Sequence, residues 1–152
     1  MGLDMYLYAK RYLYDFYDTN PRDAKAQTHV AQVFPELDNT GYKVKEVSVE
    51  VGYWRKANMI HDWFVKNVQE GKDECIPHPV YRENLIELRG LCQTVLDDPS
   101  KAEELLPTAK GFFFGSDSYG EWYINDLKAT IDIIDRALEL PEQWDYEYLS
   151  SW

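Results

Sequence analysis

Leu3-Asp-Met-Tyr-Leu-Tyr-Ala-Lys-Arg-Tyr-Leu-Tyr14 is the stretch that decides the fold. Met5 and Leu7 alternate with Tyr6 and Tyr8, the period of two that sends successive side chains to opposite faces of a strand. This predicts a strand with one aliphatic and one tyrosine face. At the far end Trp144, Tyr146 and Tyr148 alternate with Asp145 and Glu147, predicting a last strand with an aromatic face. The two terminal strands are expected to pair. A helical protein with strand-like tails is the alternative.

Between them the period changes. Tyr42 to Val51 reads as a second strand, its valines Val47, Val49 and Val51 inward. Gly52 is expected to turn the chain into a helix from about Trp54 to Glu70, with Ala57, Ile60, Phe64 and Val68 on one face and Gly71 as its stop. Val80-Tyr81 is a candidate edge strand. Glu83 to Leu96 carries Leu85, Leu88, Cys92 and Val95 at helical spacing, and Asp98-Pro99 begins a short helix to Leu106. Ser118 and Glu121 have capping-box spacing, so the longest helix is expected from there to Leu140, with Tyr123, Leu127, Ile131, Ile134 and Leu138 as its seam. Asp15 to Thr40 is irregular apart from a short helix near residues 24–33. Together these predict one globular α+β domain over residues 1–152: a small, mostly antiparallel sheet with three to four helices on one face.

The chain has 152 residues, 45% hydrophobic and 15% aromatic, which argues against disorder. Its net charge of −11 is uneven: residues 1–76 hold 12 acids against 10 bases, and residues 77–152 hold 15 against 6. Such a surface repels phosphate backbones, so direct nucleic-acid binding is not expected. It either solvates the chain or meets a basic partner, such as a nucleic-acid-binding protein. No apolar run approaches the roughly 20 residues that span a bilayer, so no membrane association is expected. With no signal peptide and only Cys75 and Cys92, the expectation is reduced thiols in a cytoplasm.

Two segments could hold a ligand. Trp54, Arg55 and Lys56, with Asn58 and His61, form the one compact basic cluster beside aromatics, at a strand-to-helix junction suited to a phosphate or carboxylate. The competing reading makes Trp54 core and the two cations ordinary surface charges. Gly111-Phe-Phe-Phe-Gly-Ser116 precedes a helix start as a phosphate loop would, without the lysine such loops carry. Its competing reading is a buried strand or plug of Phe112–Phe114 between turns. Cys75, His78, Cys92 and His61 lack paired zinc spacing, so no metal or cofactor is expected. A nucleophile with its orienting partners is not evident, which leaves catalysis the weaker alternative.

The opening Met1-Gly-Leu-Asp-Met-Tyr-Leu, the blocks Tyr53–Phe64 and Leu105–Ser116 with Tyr119, Trp122 and Tyr123, and the closing Tyr148-Leu-Ser-Ser-Trp152 resemble an uncharacterised family of small acidic proteins from bacteriophages and prophage-bearing bacterial genomes. The resemblance runs nearly end to end, except over Asp15–Thr40 and Ile76–Pro79. It implies an accessory protein in the host cytoplasm that binds a host macromolecule, for instance inhibiting a defence protein. The acidic stretch from Asp117 to Glu147 would meet that partner, with Tyr119, Glu121, Trp122, Asp126 and Trp152 as contacts and self-association as a further option. The alternative is a small-molecule or nucleotide-binding domain built on Trp54–His61 and Gly111–Ser116; it requires Arg55 and Ser116 to converge.

Overall fold

The computed structural model describes residues 2–14, 21–111 and 115–152, so the expected Phe112–Phe114 plug lies outside the described residues. The fold is α+β. Four strands, β1 (Asp4–Tyr12), β2 (Glu46–Arg55), β3 (His78–Val80) and β4 (Asp145–Ser151), form an antiparallel sheet in the order β2-β1-β4-β3. The terminal strands are therefore neighbours, as their shared alternation predicts. Among the described residues there are five α-helices: α1 (Pro21–Val33), α2 (Asn58–Asn67), α3 (Arg82–Asp97), α4 (Ala102–Leu105) and α5 (Glu121–Ala137). That is slightly more than three to four, because α4 is a single turn set off by its own 3-10 start.

The chain divides into two compact units, residues 1–9 with 49–152, and residues 10–48. The larger unit holds the main core. Met5, Leu7 and Ala9 of β1 are fully buried in it, with Phe64 of α2, Leu85, Leu88, Cys92 and Val95 of α3, and Leu127 and Ile134 of α5. Burial pushes the Cys92 thiol up to about 12, which makes it an inert filler. On β1's other face Tyr6 and Tyr8 stack at 6.0 Å, and Tyr6 meets Tyr53 at 5.4 Å. β3 registers on β4 with His78 opposite Tyr148 and Val80 opposite Tyr146. Tyr148 lies flat on Phe64, with centroids 4.0 Å apart and planes 10° apart.

In the smaller unit, Asp23 at the start of α1 is almost fully buried and satisfied by Arg11 at 2.8 Å and the Tyr14 amide at 3.2 Å. The Gln27 side chain takes the place of a strand partner: its amide bonds both the carbonyl and the N–H of Val44.

Four expectations are corrected. Gly52 does not turn the chain; it lies inside β2, where a Cβ would clash with Ile133 Cγ2 of α5. Gly52 and Trp54 thus face the core; of the three valines expected inward, Val49 is exposed, while Val47 and Val51 are half-buried and Val51 packs against the core. Trp54 and Arg55 end β2, and α2 begins only at Asn58. Finally, Gly120, not Ser118, precedes α5, and the Ser118 hydroxyl pairs with that of Ser116.

Gly52→Ala should destabilise the protein by about 1–3 kcal/mol through overpacking. Because one methyl contact causes the cost, Ile133→Ala in the same chain should recover part of it. Urea unfolding of both single variants and the double variant checks this, and strictly additive losses would refute the contact.

Candidate functional site

The site begins at Lys56. Its φ is +59°, a left-handed conformation that costs a side-chain-bearing residue roughly 1–2 kcal/mol. The surroundings fix it there: its N–H donates to Leu3 O at 2.8 Å, and its carbonyl accepts from Asn58 N at 2.9 Å. Gly115 packs onto it at φ +84°; a Cβ there would lie 3.0 Å from Lys56 Cβ. A strained residue held by its neighbours at a surface concavity is a common mark of a working site.

Asn58, the first residue of α2, is buried and ties the facing loop down. Its Nδ2 donates to Ser116 O at 2.8 Å, and its Oδ1 accepts from Ala109 N at 3.0 Å. Beyond it Ser118 N donates to Ser116 Oγ at 3.2 Å, and the two hydroxyls are 2.9 Å apart. Thr108 closes the loop from behind, donating to Asp117 O at 2.9 Å and to the Tyr119 hydroxyl at 3.2 Å. The N-terminal turns of α5 then supply Trp122, Tyr123 and Asp126.

These pieces enclose a cavity of about 450 Å³, a volume suited to a small ligand. Arg55 and Lys56 stand exposed at one side, Ser116 and Ser118 line another, and Trp122, 78% exposed, stands at the rim. Met59 and Tyr123 are buried beneath, the Tyr123 hydroxyl donating to Leu106 O at 2.8 Å. Asp126 lies half-buried in the wall, and burial pushes its carboxyl up to about 6. Among the described residues its side chain makes no hydrogen bond or ion pair. Lys56 likewise makes no ion pair among them, and Arg55 only reaches toward Asp4 at 4.0 Å.

A larger and more open hollow of about 610 Å³ lies within residues 10–48. Gln27 and Thr28 in its wall already spend their polar groups on Val44 and Ala24, and no half-buried charge in it resembles Asp126. The smaller cavity therefore carries the chemistry.

Of the predicted ligand residues, Arg55, Lys56, Asn58 and Ser116 meet in this cavity. Trp54 does not: it is core, its Nε1 donating to Thr130 Oγ1 at 2.8 Å. Nor does His61, which is buried with Nδ1 2.7 Å from the Tyr148 hydroxyl and Nε2 3.1 Å from Asp73 Oδ1. Hydroxyl, imidazole and carboxylate in line look catalytic, but Tyr148 is fully buried, and desolvation holds its phenol well above the ordinary value. No substrate reaches it, so the Tyr148–His61 hydrogen bond serves to join β4 to α2, with Asp73 of the following loop beside the imidazole. Trp152 caps the same loop through Asp73 at 3.1 Å, outside the cavity, and Glu121 is exposed at the start of α5. Trp122 and Asp126, read from sequence as protein contacts, also line the cavity wall. Ser118 was read only as a cap, and Gly115 as part of a phosphate-loop-like turn without its contact to Lys56; that contact joins residues 59 positions apart.

Comparison with protein-family models, curated proteins and solved structures yields no match. Function is therefore argued from the cavity. Among the described residues no helix is long and apolar enough to cross a membrane.

Two outcomes follow. Asn58→Ala should free the Ala109 amide, raising its hydrogen-exchange rate, and destabilise by about 1–3 kcal/mol as buried partners go unmet; unchanged protection of Ala109 would count against the clamp. Asp126 has a folded pKa above its unfolded one, so its contribution is fully present below about pH 4 and is lost as pH rises through about 6. Asp126→Asn should thus match the native protein near pH 4 and exceed its stability at pH 7 by about 1–2 kcal/mol, allowing for solvent screening. Parallel denaturation curves across this range test it.

Proposed function

We propose that the protein binds a small anionic ligand in the cavity between the end of β2, the Ser116–Ser118 loop and the start of α5. The observation that carries this reading is the convergence of Arg55, Lys56, Ser116 and Ser118, from two segments far apart in sequence, on one concavity that also holds a half-buried acid. Arg55 offers a planar fork of donors and Lys56 a mobile point charge, a pairing suited to a phosphate or carboxylate. The serine hydroxyls add neutral donors that turn to fit. The reading is of binding rather than turnover, because among the described residues no exposed nucleophile pairs with a base in this wall.

Titration with phenyl phosphate, followed by amide NMR shifts, tests the proposal. Saturable shifts at Lys56, Ser116 and Ser118 are expected. Arg55→Ala and Lys56→Ala should each weaken binding by about tenfold or more, the loss of one charge-assisted contact. Absence of saturable shifts at these three amides would overturn it.

The exposed aromatics favour a second reading. Trp122, Trp152 and Tyr119 are 78%, 48% and 36% exposed, and rings of this kind anchor protein interfaces. With the acidic charge of α5 they support a phage-type accessory protein that docks on a basic host protein, such as a nucleic-acid-binding defence factor, and also self-associates. Affinity purification at low salt, with Trp122→Ala as control, separates the two. A partner held by the native chain and lost by the variant supports docking; identical recovery by both removes it.

A further inference from the structure

We infer that the cavity is shaped for a mononucleotide with a guanine base: the phosphate toward Arg55 and Lys56, the ring on Trp122, and Asp126 accepting from the base edge. This rests on the reading of the cavity as a site for an anionic ligand and names the rest of that ligand.

Trp122 and Asp126 are four residues apart on α5, so they stand side by side on one face, with Cβ atoms about 5–6 Å apart. A planar ring stacked on the exposed indole projects its edge along the helix toward the carboxylate. Every base has a face to stack, so Trp122 alone sets no preference. Asp126 does. Its two oxygens are acceptors only when ionised, and the wall removes water from them without supplying a donor among the described residues. A half-buried carboxylate in that state is satisfied by two adjacent N–H groups, one to each oxygen.

Guanine presents that pair on one edge, a ring N–H beside an exocyclic amino group. Adenine and cytosine set their amino group beside a ring nitrogen that is itself an acceptor, and uracil flanks its N–H with two carbonyls. Those three leave an acceptor facing the carboxylate, a mismatch worth more than a missing contact. At the other end, Arg55 and Lys56 make the rim cationic where a phosphate would sit, with Ser116 and Ser118 lining the same cavity.

Isothermal titration at neutral pH, using GMP, AMP, UMP and phenyl phosphate, tests the assignment. GMP is expected to bind at least about tenfold more tightly than AMP or UMP. Asp126→Asn, which keeps shape and removes charge, should abolish that preference while leaving phenyl phosphate bound as well as before or better. GMP no tighter than AMP, or a preference that survives Asp126→Asn, would overturn the guanine assignment while phenyl phosphate binding keeps the anion site standing. Loss of phenyl phosphate binding along with GMP would bring down the anion site itself.

Discussion

Helix α5 can lie close against the sheet because Gly52 has no side chain. Ile133 Cγ2 fills the place where a Cβ would be. Protein interiors are packed as densely as organic crystals, so a missing methyl on one side sets how near a helix can settle. Much follows from that approach. Trp54, next along β2, donates to Thr130 on α5, and Thr130 in turn donates to the Asp126 carbonyl. The helix is thereby fixed in rotation as well as distance. That rotation turns Trp122 and Asp126 toward the end of β2 and the loop pinned by Asn58.

The charge of the cavity opposes that of the chain. A net charge of −11 repels anions at long range, yet two cations stand together at this rim. Screening decides which effect governs a bound ligand. At physiological ionic strength exposed charges fade beyond about 8 Å, so the acids on the outer face of α5 chiefly affect encounter, while Arg55, Lys56 and Asp126 act on whatever occupies the site. Asp126 is then the residue that discriminates. In one cavity with two cations it disfavours a bare anion and rewards a ligand that brings donors of its own, which is the signature of recognition by both ends of a molecule.

The Tyr148–His61–Asp73 array shows why donor order alone does not make an active site. The order of groups is that of a relay, but the phenol is sealed beneath Phe64 and the sheet. Burial raises the cost of ionising the hydroxyl while denying any substrate an approach. What remains is a polar link inside the core, where a satisfied hydrogen bond fixes one arrangement of strand and loop among several that apolar packing would tolerate.

Local pattern carried much of the architecture. The period of two in Leu3–Tyr14 specified a strand with an aliphatic face, and Met5, Leu7 and Ala9 are fully buried accordingly. The spacing of Leu85, Leu88, Cys92 and Val95 specified the buried stripe of α3. Arg55, Lys56, Asn58 and Ser116 were legible as a cluster of polar groups near two turns. What pattern could not carry was which face of β2 a helix would cover. Alternation tells which side chains share a side, not which side is inside, so Val49 is exposed where the pattern put it inward, and Gly52 lies in the covered strand rather than at a turn. The same limit hid the place of Asp126 in the cavity, since its chemistry there arises from burial by residues distant in the chain. Sequence periodicity is a property of one segment and fixes that segment's shape; the burial of a carboxyl or an indole is a property of several segments meeting, and only their packing creates it.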